Sequence, residues 1–311
     1  MRLEEAVAYR VVTIENPAEV HVQNGQLVVM QDKGEASIPI KDIAVLVVSG
    51  PNIRMSTLAQ TKLAQSKVVI LHLGLNHHPA AMTLPMVGHS RQARTMQMQA
   101  DMSAHLRAEL WRLVIVRKIE NQARVLAILG LPGAEEVWEL SLHVLPADVD
   151  NREGDAAKRY FHHLHPGLNR RVEDPVNSAL NYGYAIVRAL IARELVAAGF
   201  SVALGLHHRS QMNPFNLVDD VMEPFRPCVD LVAEEAVGRT ARLSRKQRAA
   251  LREVCLSPVL IDDQTVDVMV AARLVAESLR RAVALDSEVA LTLPTVLPLT
   301  SGVEEEGARC V

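Results

Sequence analysis

The spacing of apolar residues along this chain changes once, near residue 75, from a strand-like to a helix-like pattern. This change divides the sequence into two parts. Before it, short runs of apolar and β-branched residues such as Val7–Ile14 and Ile43–Val48 are separated by turn residues, a pattern typical of β-strands. Asn24-Gly25 lies between two such runs and indicates a two-residue hairpin, because both central positions of a type I′ turn need positive φ. The pattern predicts a small N-terminal β-rich domain at residues 1–75, similar to a β-sandwich.

The remainder of the chain carries the spacing of helices. Residues 76–90 hold Pro79 and Pro85 and show no periodicity, so we expect a linker there. Beyond them, segments with helical spacing end at Gly or Pro and predict helices at 92–129 (one or two), 134–145, 151–163, 177–198, 215–235, 244–255 and 265–285. The sequence thus predicts an α+β protein whose larger C-terminal domain, residues 91–290, is all-α. A Pro-rich acidic tail at 291–311 is expected to be frayed.

The composition excludes several classes of protein. Apolar residues make up 49% of the 311 residues, which is enough for one or two folded domains and excludes a disordered chain. The formal net charge of −3 excludes a uniformly basic nucleic-acid binder. Three cysteines without a C-x-x-C pair, and the lack of a signal-peptide pattern, favour a reduced, cytoplasmic protein. No apolar run approaches the roughly 20 residues of a membrane helix, so no membrane partner is expected.

Three short segments carry residues suited to catalysis or metal binding. The first, Asp148–Phe161, begins a predicted helix that Asp150 or Asn151 can cap, and it places Glu153 in the first turn. An acid at this position either complements the positive end of the helix dipole or supplies a carboxylate ligand to a hard divalent cation. Both interpretations stay open from this segment alone.

The second and third segments supply an imidazole and further carboxylates. His207 and His208 are adjacent, so their side chains do not easily reach the same ion; one ligand is expected, or else both are ordinary loop histidines. On the helix that follows, Asp220 and Glu223 stand at i and i+3, and Asp219 and Glu223 at i and i+4, so either pair could face one site or a solvated surface. Carboxylates with one imidazole suit Mg²⁺ or Mn²⁺, and such an ion serves phosphodiester cleavage or transfer.

The three segments together resemble the CRISPR-associated protein one family, the catalytic subunit of the machinery that acquires CRISPR spacers. The resemblance is carried by Asp150–Phe161 (DNREGDAAKRYF), Leu180–Arg188 (LNYGYAIVR), Gly205–His208 (GLHH) and Phe215–Pro227 (FNLVDDVMEPFRP). Two further segments, His89–Gln92 and Leu110–Gln122, resemble the type II branch of the family. The resemblance covers residues 1 to about 285. The sequence differs from the family pattern at His165, where relatives usually have an aromatic residue.

The resemblance implies a metal-dependent DNA endonuclease and integrase of CRISPR adaptation, in antiviral defence. Family members hold Mg²⁺ or Mn²⁺ with an acid, a histidine and a second acid, which correspond here to Glu153, His208 and Glu223, with Asp220 as a further acid or an outer partner. His208 is preferred to His207 because its separation from Glu223 resembles that of the family. The implied reaction is a transesterification in which a 3′-hydroxyl attacks a phosphodiester of the CRISPR repeat.

The resemblance also implies partners. Family members are homodimers that pair through the β-rich domain, and two dimers flank CRISPR-associated protein two. They bind double-stranded DNA as spacer precursor and as repeat, and the type II branch adds contact with the effector nuclease of these systems. The seven basic and seven acidic residues at positions 1–80 balance, which suits a protein contact. The alternatives are a DNA-binding scaffold of the same complex without its own catalytic role, and an unrelated metal-dependent phosphohydrolase that acts on nucleotides.

Positive charge is concentrated locally in the helical domain. From Gly238 to Arg252 there are six basic residues and no acid. A basic helix face is often only a solvated face, but in a family that binds DNA we predict that Arg245, Lys246 and Arg248 contact phosphates. A second basic region comprises Arg91, Arg94, Arg107, Arg112, Arg117, Lys118 and Arg124.

Overall fold

The structure, a computed structural model, describes residues 9–74, 78–86, 88–167, 175–236 and 243–299. The chain divides into two compact units, which are residues 1–86 with 298–311, and residues 87–297. The first is rich in strands and the second is mostly helical. The predicted α+β class, with a β-rich part before a larger helical part, is therefore confirmed.

The first unit contains two four-stranded sheets. Its elements are β1 (Arg10–Ile14), β2 (Ala18–Gln23), β3 (Gln26–Gln31), β4 (Gly34–Pro39), β5 (Ile43–Val48), β6 (Ile53–Met55), α1 (Thr57–Gln65), β7 (Val69–Leu73) and β8 (Pro79–Thr83). One sheet has the order β1-β5-β7-β8, with β1, β5 and β7 parallel, and the other has the order β4-β3-β2-β6, with β2, β3 and β4 antiparallel. Apolar side chains of both sheets and of α1 form one core, in which Leu27, Ile43 and Leu63 are fully buried.

Two local features of this unit bear on the sequence predictions. Asn24 and Gly25 join β2 to β3 with φ of 49° and 75°, as the predicted type I′ turn requires. β8 lies within residues 76–90, where we expected a linker, and pairs antiparallel with β7 at the edge of the sheet. An edge strand tolerates Pro79 because one side of its backbone needs no ladder partner. Most of its side chains are exposed, so the strand has no alternation of apolar residues by which to predict it.

The second unit is built around a long buried helix. Its helices are α2 (Gln92–Ala100), α3 (Ala104–Ile128), α4 (Ala134–Ser141), α5 (Arg152–Leu164), α6 (Pro175–Ala197), α7 (Asn216–Val221), α8 (Arg226–Ala236), α9 (Arg245–Arg252) and α10 (Val268–Leu285). Of the one or two helices predicted at 92–129, the structure has two, and the second is capped by Ser103, whose Oγ accepts a hydrogen bond from the N–H of Leu106 (3.0 Å). α3 packs against α4, α5 and α8.

The second unit also contains a small sheet, which corrects the prediction that this domain is all-α. β9 (Pro258–Ile261) pairs antiparallel with β10 (Gln264–Asp267) and with β11 (Thr295–Val296). Residues 265–285 were expected to form one helix, but α10 begins only at Val268, where Asp267 accepts a hydrogen bond from the N–H of Val270 (2.7 Å) as N-cap. Strands of two to four residues are too short to show a period, so the helical pattern of α10 dominates the sequence signal.

The segment expected to be a frayed tail is partly built into the second unit. Val296 of β11 is buried, and its N–H donates a hydrogen bond to Asn121 Oδ1 of α3 (3.0 Å). Asn121 Nδ2 in turn donates to the carbonyl of Pro294 (3.0 Å). The acidic run Glu304–Glu306 lies outside the described residues. No helix in the described ranges is long and apolar enough to cross a membrane.

Candidate active site

Glu153 lies in the first turn of α5, as predicted, and a nearby aspartate fixes its backbone. Asp148 accepts hydrogen bonds from the backbone N–H groups of Arg152 (2.8 Å) and Glu153 (3.1 Å). It therefore supplies the cap that we expected from Asp150 or Asn151. Asn151 occupies the N-cap position with a φ of 56°, and its side chain makes no capping hydrogen bond. The Glu153 side chain is held at the start of the helix and is 29% exposed.

Glu223 reaches the same point from the turn that follows α7. α7 ends at Val221, and Glu223 begins a 3₁₀ turn whose next residue, Pro224, has no N–H with which to continue an α-helix. The carbonyl of Pro224 accepts a hydrogen bond from Asn121 Nδ2 of α3 (2.8 Å), which ties this turn to the central helix. The Glu223 side chain is only 5% exposed.

Lys118 of α3 lies between the two carboxylates. Its Nζ is 2.6 Å from Glu153 Oε1 and also contacts Glu223 Oε2. Burial of Lys118 disfavours its charged form, but the charges of Glu223 and Glu153 outweigh this and raise its pKa above the ordinary value. The ammonium shared by two carboxylates marks a point at which this protein stabilises a cation.

Arg226 is the second cation at this site. Its Nε donates a hydrogen bond to Glu223 Oε1 (2.7 Å). Burial alone would raise the pKa of Glu223, but the Arg226 guanidinium and the Lys118 ammonium lower it to about 2. Glu223 is therefore ionised at neutral pH. The guanidinium lies over the ring of Tyr184, with its Cζ 4.9 Å from the ring centroid.

Asp220 holds the loop that carries the two histidines. Its carboxylate, which is fully buried, accepts hydrogen bonds from the backbone N–H groups of Leu206 (2.6 Å), His207 (3.0 Å) and His208 (3.2 Å). The Nδ1 of His208 lies 2.5 Å from Asp220 Oδ1. This hydrogen bond raises the pKa of His208 above its ordinary value and, together with the smaller effects of the charges of Asp220, Glu223 and Glu153, outweighs the lowering by burial. The other ring nitrogen, Nε2, is the one left for a ligand.

His207 and His208 differ in their surroundings. His207 stacks on the indole of Trp111, with ring centroids 4.5 Å apart and an angle of 6° between the planes. Trp111 is buried in α3, one residue after Leu110. His207 is therefore engaged in packing, while His208 is influenced by the charges of both carboxylates, Glu153 and Glu223.

The alternative pair of acids, Asp219 and Glu223, is not brought together. Arg188 donates two hydrogen bonds to the Asp219 carboxylate, from Nε (2.6 Å) and from Nη2 (2.8 Å). Asn213 Nδ2 donates a third (2.6 Å). Asp219 thus belongs to a separate polar cluster, and Asp220 belongs to the histidine loop.

The residues present fit a divalent cation in their chemistry, although they do not surround one in the geometry seen. In the described ranges, no three His, Cys, Asp or Glu side chains converge closely enough to hold a metal ion. The reason is visible at the centre of the site, where the Lys118 ammonium separates Glu153 from Glu223. Two carboxylates that share one cation, with an imidazole beside them, are nonetheless a donor set suited to Mg²⁺ or Mn²⁺.

Sequence reasoning missed three residues of this site, which are Asp148, Lys118 and Arg226. One signal could have found Lys118, which we assigned only to a basic surface region. Trp111, Val114, Ile115, Lys118 and Gln122 recur at helical spacing and are all buried on one face of α3. A lysine inside an apolar stripe needs a carboxylate partner, because an unpaired buried charge is costly.

The predicted DNA-contacting residues lie on α9, which Ser244 caps through a reciprocal capping box with Gln247. Arg245 and Lys246 are exposed, while Arg248 is half-buried and donates a hydrogen bond to the carbonyl of Leu243 (2.7 Å). Arg239 and Arg242, which extend the same basic run, lie outside the described residues.

His165, the departure from the family pattern, is buried next to α8. Its Nε2 lies 3.2 Å from Glu234 Oε1, and its ring stacks on Phe161 with the centroids 6.4 Å apart. An imidazole thus combines an aromatic contact with a polar one at this position.

Two solved structures share the fold of this chain. A casposase bound to integration product superposes with a TM-score of 0.73 at 17% identity, over 97% of this chain and 96% of that chain. A Cas6-RT-Cas1–Cas2 complex superposes with a TM-score of 0.72 at 16% identity, over 95% of this chain and 37% of that chain. At these identities the likeness defines the fold class.

The sequence comparisons then give the family. Residues 11–258 match the family model described as CRISPR associated protein Cas1. The CRISPR-associated endonuclease Cas1 of Neisseria meningitidis serogroup C (strain 8013) is 32% identical over 298 residues, which cover 94% of this chain and 98% of that protein. This chain belongs to the CRISPR associated protein Cas1 family.

Proposed function

We propose that this chain is a metal-dependent DNA endonuclease and integrase of CRISPR adaptation. It joins the 3′-hydroxyl ends of short DNA duplexes to a phosphodiester of the CRISPR repeat, in antiviral defence. The endonuclease relative, 32% identical over nearly the whole chain, supports the nuclease role, and the casposase that shares the fold supports strand transfer. The observation that carries the proposal is the meeting of Glu153 and Glu223 at one cation, beside His208.

Glu153, His208 and Glu223 are the proposed ligands of Mg²⁺ or Mn²⁺. When bound, the ion supplies Lewis-acid stabilisation to the attacking oxygen and to the scissile phosphate. Glu223 is ready for this role because Arg226 and Lys118 keep it ionised. His208 is orientated by the hydrogen bond from Nδ1 to Asp220, which leaves Nε2 towards the ion. Asp220 is thereby assigned as a positioning residue.

The proposed partners are double-stranded DNA and Cas2. A chain of a Cas6-RT-Cas1–Cas2 complex shares the fold of this chain over 37% of its own length, and this supports a similar assembly here. We propose further that the β-rich unit mediates homodimerisation, since its charges balance over residues 1–80. The predicted contacts with the type II effector nuclease and of Arg245, Lys246 and Arg248 with phosphates remain part of this proposal.

The test is strand joining by variants of the three ligands. Purified protein and Cas2 are incubated with a supercoiled plasmid that bears a CRISPR repeat and with a short duplex that has free 3′ ends, in Mg²⁺ or Mn²⁺. Glu153→Gln, His208→Ala and Glu223→Gln are each expected to lower joining by about two to three orders of magnitude or more. Glu139→Gln is the matched control, because Glu139 is exposed on α4, a helix that carries none of the three proposed ligands.

The outcomes separate three functions. Joining by all three variants at the parent rate would contradict the proposed site. DNA binding without joining by the parent protein would favour a scaffold. In that alternative the Lys118 ammonium would stay between the two carboxylates. Release of phosphate from free nucleotides, without action on DNA, would favour a nucleotide phosphohydrolase.

A further inference from the structure

Lys118 occupies the point at which the proposed function places a divalent ion. Its ammonium is 2.6 Å from Glu153 Oε1 and contacts Glu223 Oε2. Its side chain is 7% exposed, so this ion pair lies inside the protein rather than at its surface. Both proposed carboxylate ligands are thus already engaged with a cation that belongs to the chain.

The charges of this cluster balance without a metal ion. Glu153 and Glu223 contribute two negative charges, and Lys118 and Arg226 contribute two positive charges. A divalent cation would bring two further positive charges next to these two cations in a largely buried site, which is unfavourable. The repulsion is relieved if the ammonium leaves the carboxylates and if an anion arrives. A DNA phosphate is such an anion.

Of the two cations, Lys118 is the one able to move. Arg226 is fixed by its hydrogen bond to Glu223 (2.7 Å) and by its position over the ring of Tyr184. The hydroxyl of Tyr184 donates a hydrogen bond to Asp230, which is buried. A lysine carries a compact ammonium on a flexible four-carbon stem, so rotation about its outer bonds moves the charge without moving the helix.

We propose, on the basis of the proposed function, that Lys118 couples metal binding to DNA binding. In the free protein its ammonium holds Glu153 and Glu223 together against their mutual repulsion. When DNA enters, the ammonium moves to a non-bridging oxygen of the phosphate and leaves the two carboxylates to the divalent ion. Metal and DNA therefore bind cooperatively, and the protein alone binds the metal weakly.

Mn²⁺ is a suitable probe, because electron paramagnetic resonance counts the free ion directly and needs no turnover. Mn²⁺ affinity is measured for the parent protein and for Lys118→Met, alone and with a short duplex whose 3′ ends lack hydroxyls. Without DNA, Lys118→Met is expected to bind Mn²⁺ about tenfold more tightly than the parent, because the competing charge is gone. The duplex is expected to tighten Mn²⁺ binding about tenfold in the parent and hardly at all in Lys118→Met.

Two further variants separate this role from a structural one. Lys118→Arg retains the positive charge and is expected to keep weak Mn²⁺ binding in the absence of DNA. Lys158→Met makes the same substitution at an exposed position of α5, the helix that carries Glu153, and is expected to behave as the parent. If thermal unfolding shows that Lys118→Met does not fold, Lys118→Gln replaces it, since its amide can still donate a hydrogen bond to one carboxylate.

The outcomes distinguish the coupling from the metal site on which it rests. Tight Mn²⁺ binding to the free parent that Lys118→Met leaves unchanged or weakens would overturn the coupling and leave the site in place. Absence of Mn²⁺ binding from parent and variant, with or without DNA, would overturn both. If Glu153→Gln and Glu223→Gln abolish Mn²⁺ binding while Lys118→Met strengthens it, both are supported.

Discussion

Asp220 shows how a single buried carboxylate can set the geometry of the loop that carries His207 and His208. It receives hydrogen bonds from three successive backbone N–H groups and from the imidazole of His208. Four donors offset the cost of burying its charge. Gly205 allows this close approach, since a Cβ there would lie 2.7 Å from Asp220 Oδ2 and 2.4 Å from the carbonyl oxygen of His208. The loop and the carboxylate are therefore fitted to each other.

We predict that Asp220→Asn lowers the pKa of His208 towards its ordinary value. The hydrogen bond that His208 donates to Asp220 raises that pKa in the parent, so His208 contributes stability below a pH of about 6.5 that is lost as the pH rises through the raised value. The Asp220→Asn variant is expected to lose this additional stability at acid pH. Nuclear magnetic resonance of the His208 ring in metal-free protein measures the pKa, and urea unfolding on both sides of the titration measures the stability.

Asp263→Asn is the control for this change, because it makes the same substitution at an exposed turn. An unchanged His208 pKa in Asp220→Asn, with folded structure retained, would contradict the assignment of Asp220 as the positioning residue.

At the scale of residues, the sequence indicated Glu153, His208 and Glu223 through the family resemblance, while the structure added what surrounds them. Asp148 and Arg226 contact residues three to five positions away in the chain, whereas Lys118 acts through contacts that depend on tertiary structure. Lys118 and Glu153 are 35 positions apart, and their meeting follows only once α3 packs on α5. Spacing along one helix cannot show such a contact.

Helix α3 organises the site, because three of its buried polar or aromatic residues each contact a different part of the site. Trp111 packs on His207, Lys118 pairs with both carboxylates, and Asn121 holds the turn that contains Glu223. Trp111 and Lys118 are seven residues apart, two turns of helix, so they lie on the same side. One element thus aligns the loop at 205–208 with the turn at 223–225.

We predict that Asn121→Ala lowers the free energy of unfolding by about 2–4 kcal/mol. Its side chain serves three buried backbone groups, the carbonyls of Pro224 and Pro294 and the N–H of Val296, and all three would lose their partner. Urea unfolding measures the loss. Gln97→Ala, which removes an exposed amide from α2, is expected to change stability by less than about 0.5 kcal/mol. Equal effects of the two substitutions would contradict this reading of Asn121.

At the scale of elements, patterning predicted the β-rich part and the helices but not the short strands. The runs in β5 and the Asn24-Gly25 turn carry strong local signals. β8 is exposed on both faces, and β11 has two residues, so neither alternates enough to be recognised. These short strands are held by packing within the folded unit, and β11 is held also by its hydrogen bond to Asn121. Neither contact can be recognised from the local sequence.

For the whole molecule, the net charge of −3 conceals an uneven distribution. Residues 1–80 are neutral, and residues 262–311 hold nine acids against four bases. The basic residues of α9 belong to neither of these two segments. A molecule that is nearly neutral in total can still attract the DNA backbone at one surface.

We predict that the triple variant Arg245→Ala, Lys246→Ala, Arg248→Ala weakens DNA binding and makes it less dependent on salt. Each phosphate contact that is lost removes about 0.9 from the slope of log affinity against log salt. Fluorescence anisotropy over a range of salt concentrations measures this slope. Replacement of Lys33, Lys41 and Lys62 by Ala, three exposed residues of the β-rich unit, changes the net charge equally and is expected to leave the slope nearly unchanged. An unaltered slope in the α9 variant would remove this surface from the proposed interface.

The contact between Asn121 and β11 also constrains the order in which the helical unit folds. Asn121 and Val296 are 175 positions apart, so their hydrogen bond can form only after the intervening chain has become ordered. During synthesis, α3 is made well before the strand that completes its surroundings. The buried amide of Asn121 therefore gains these partners only after residues 294–296 have been synthesised, so the helical unit cannot complete its packing around α3 while only α3 and its nearer neighbours have been made.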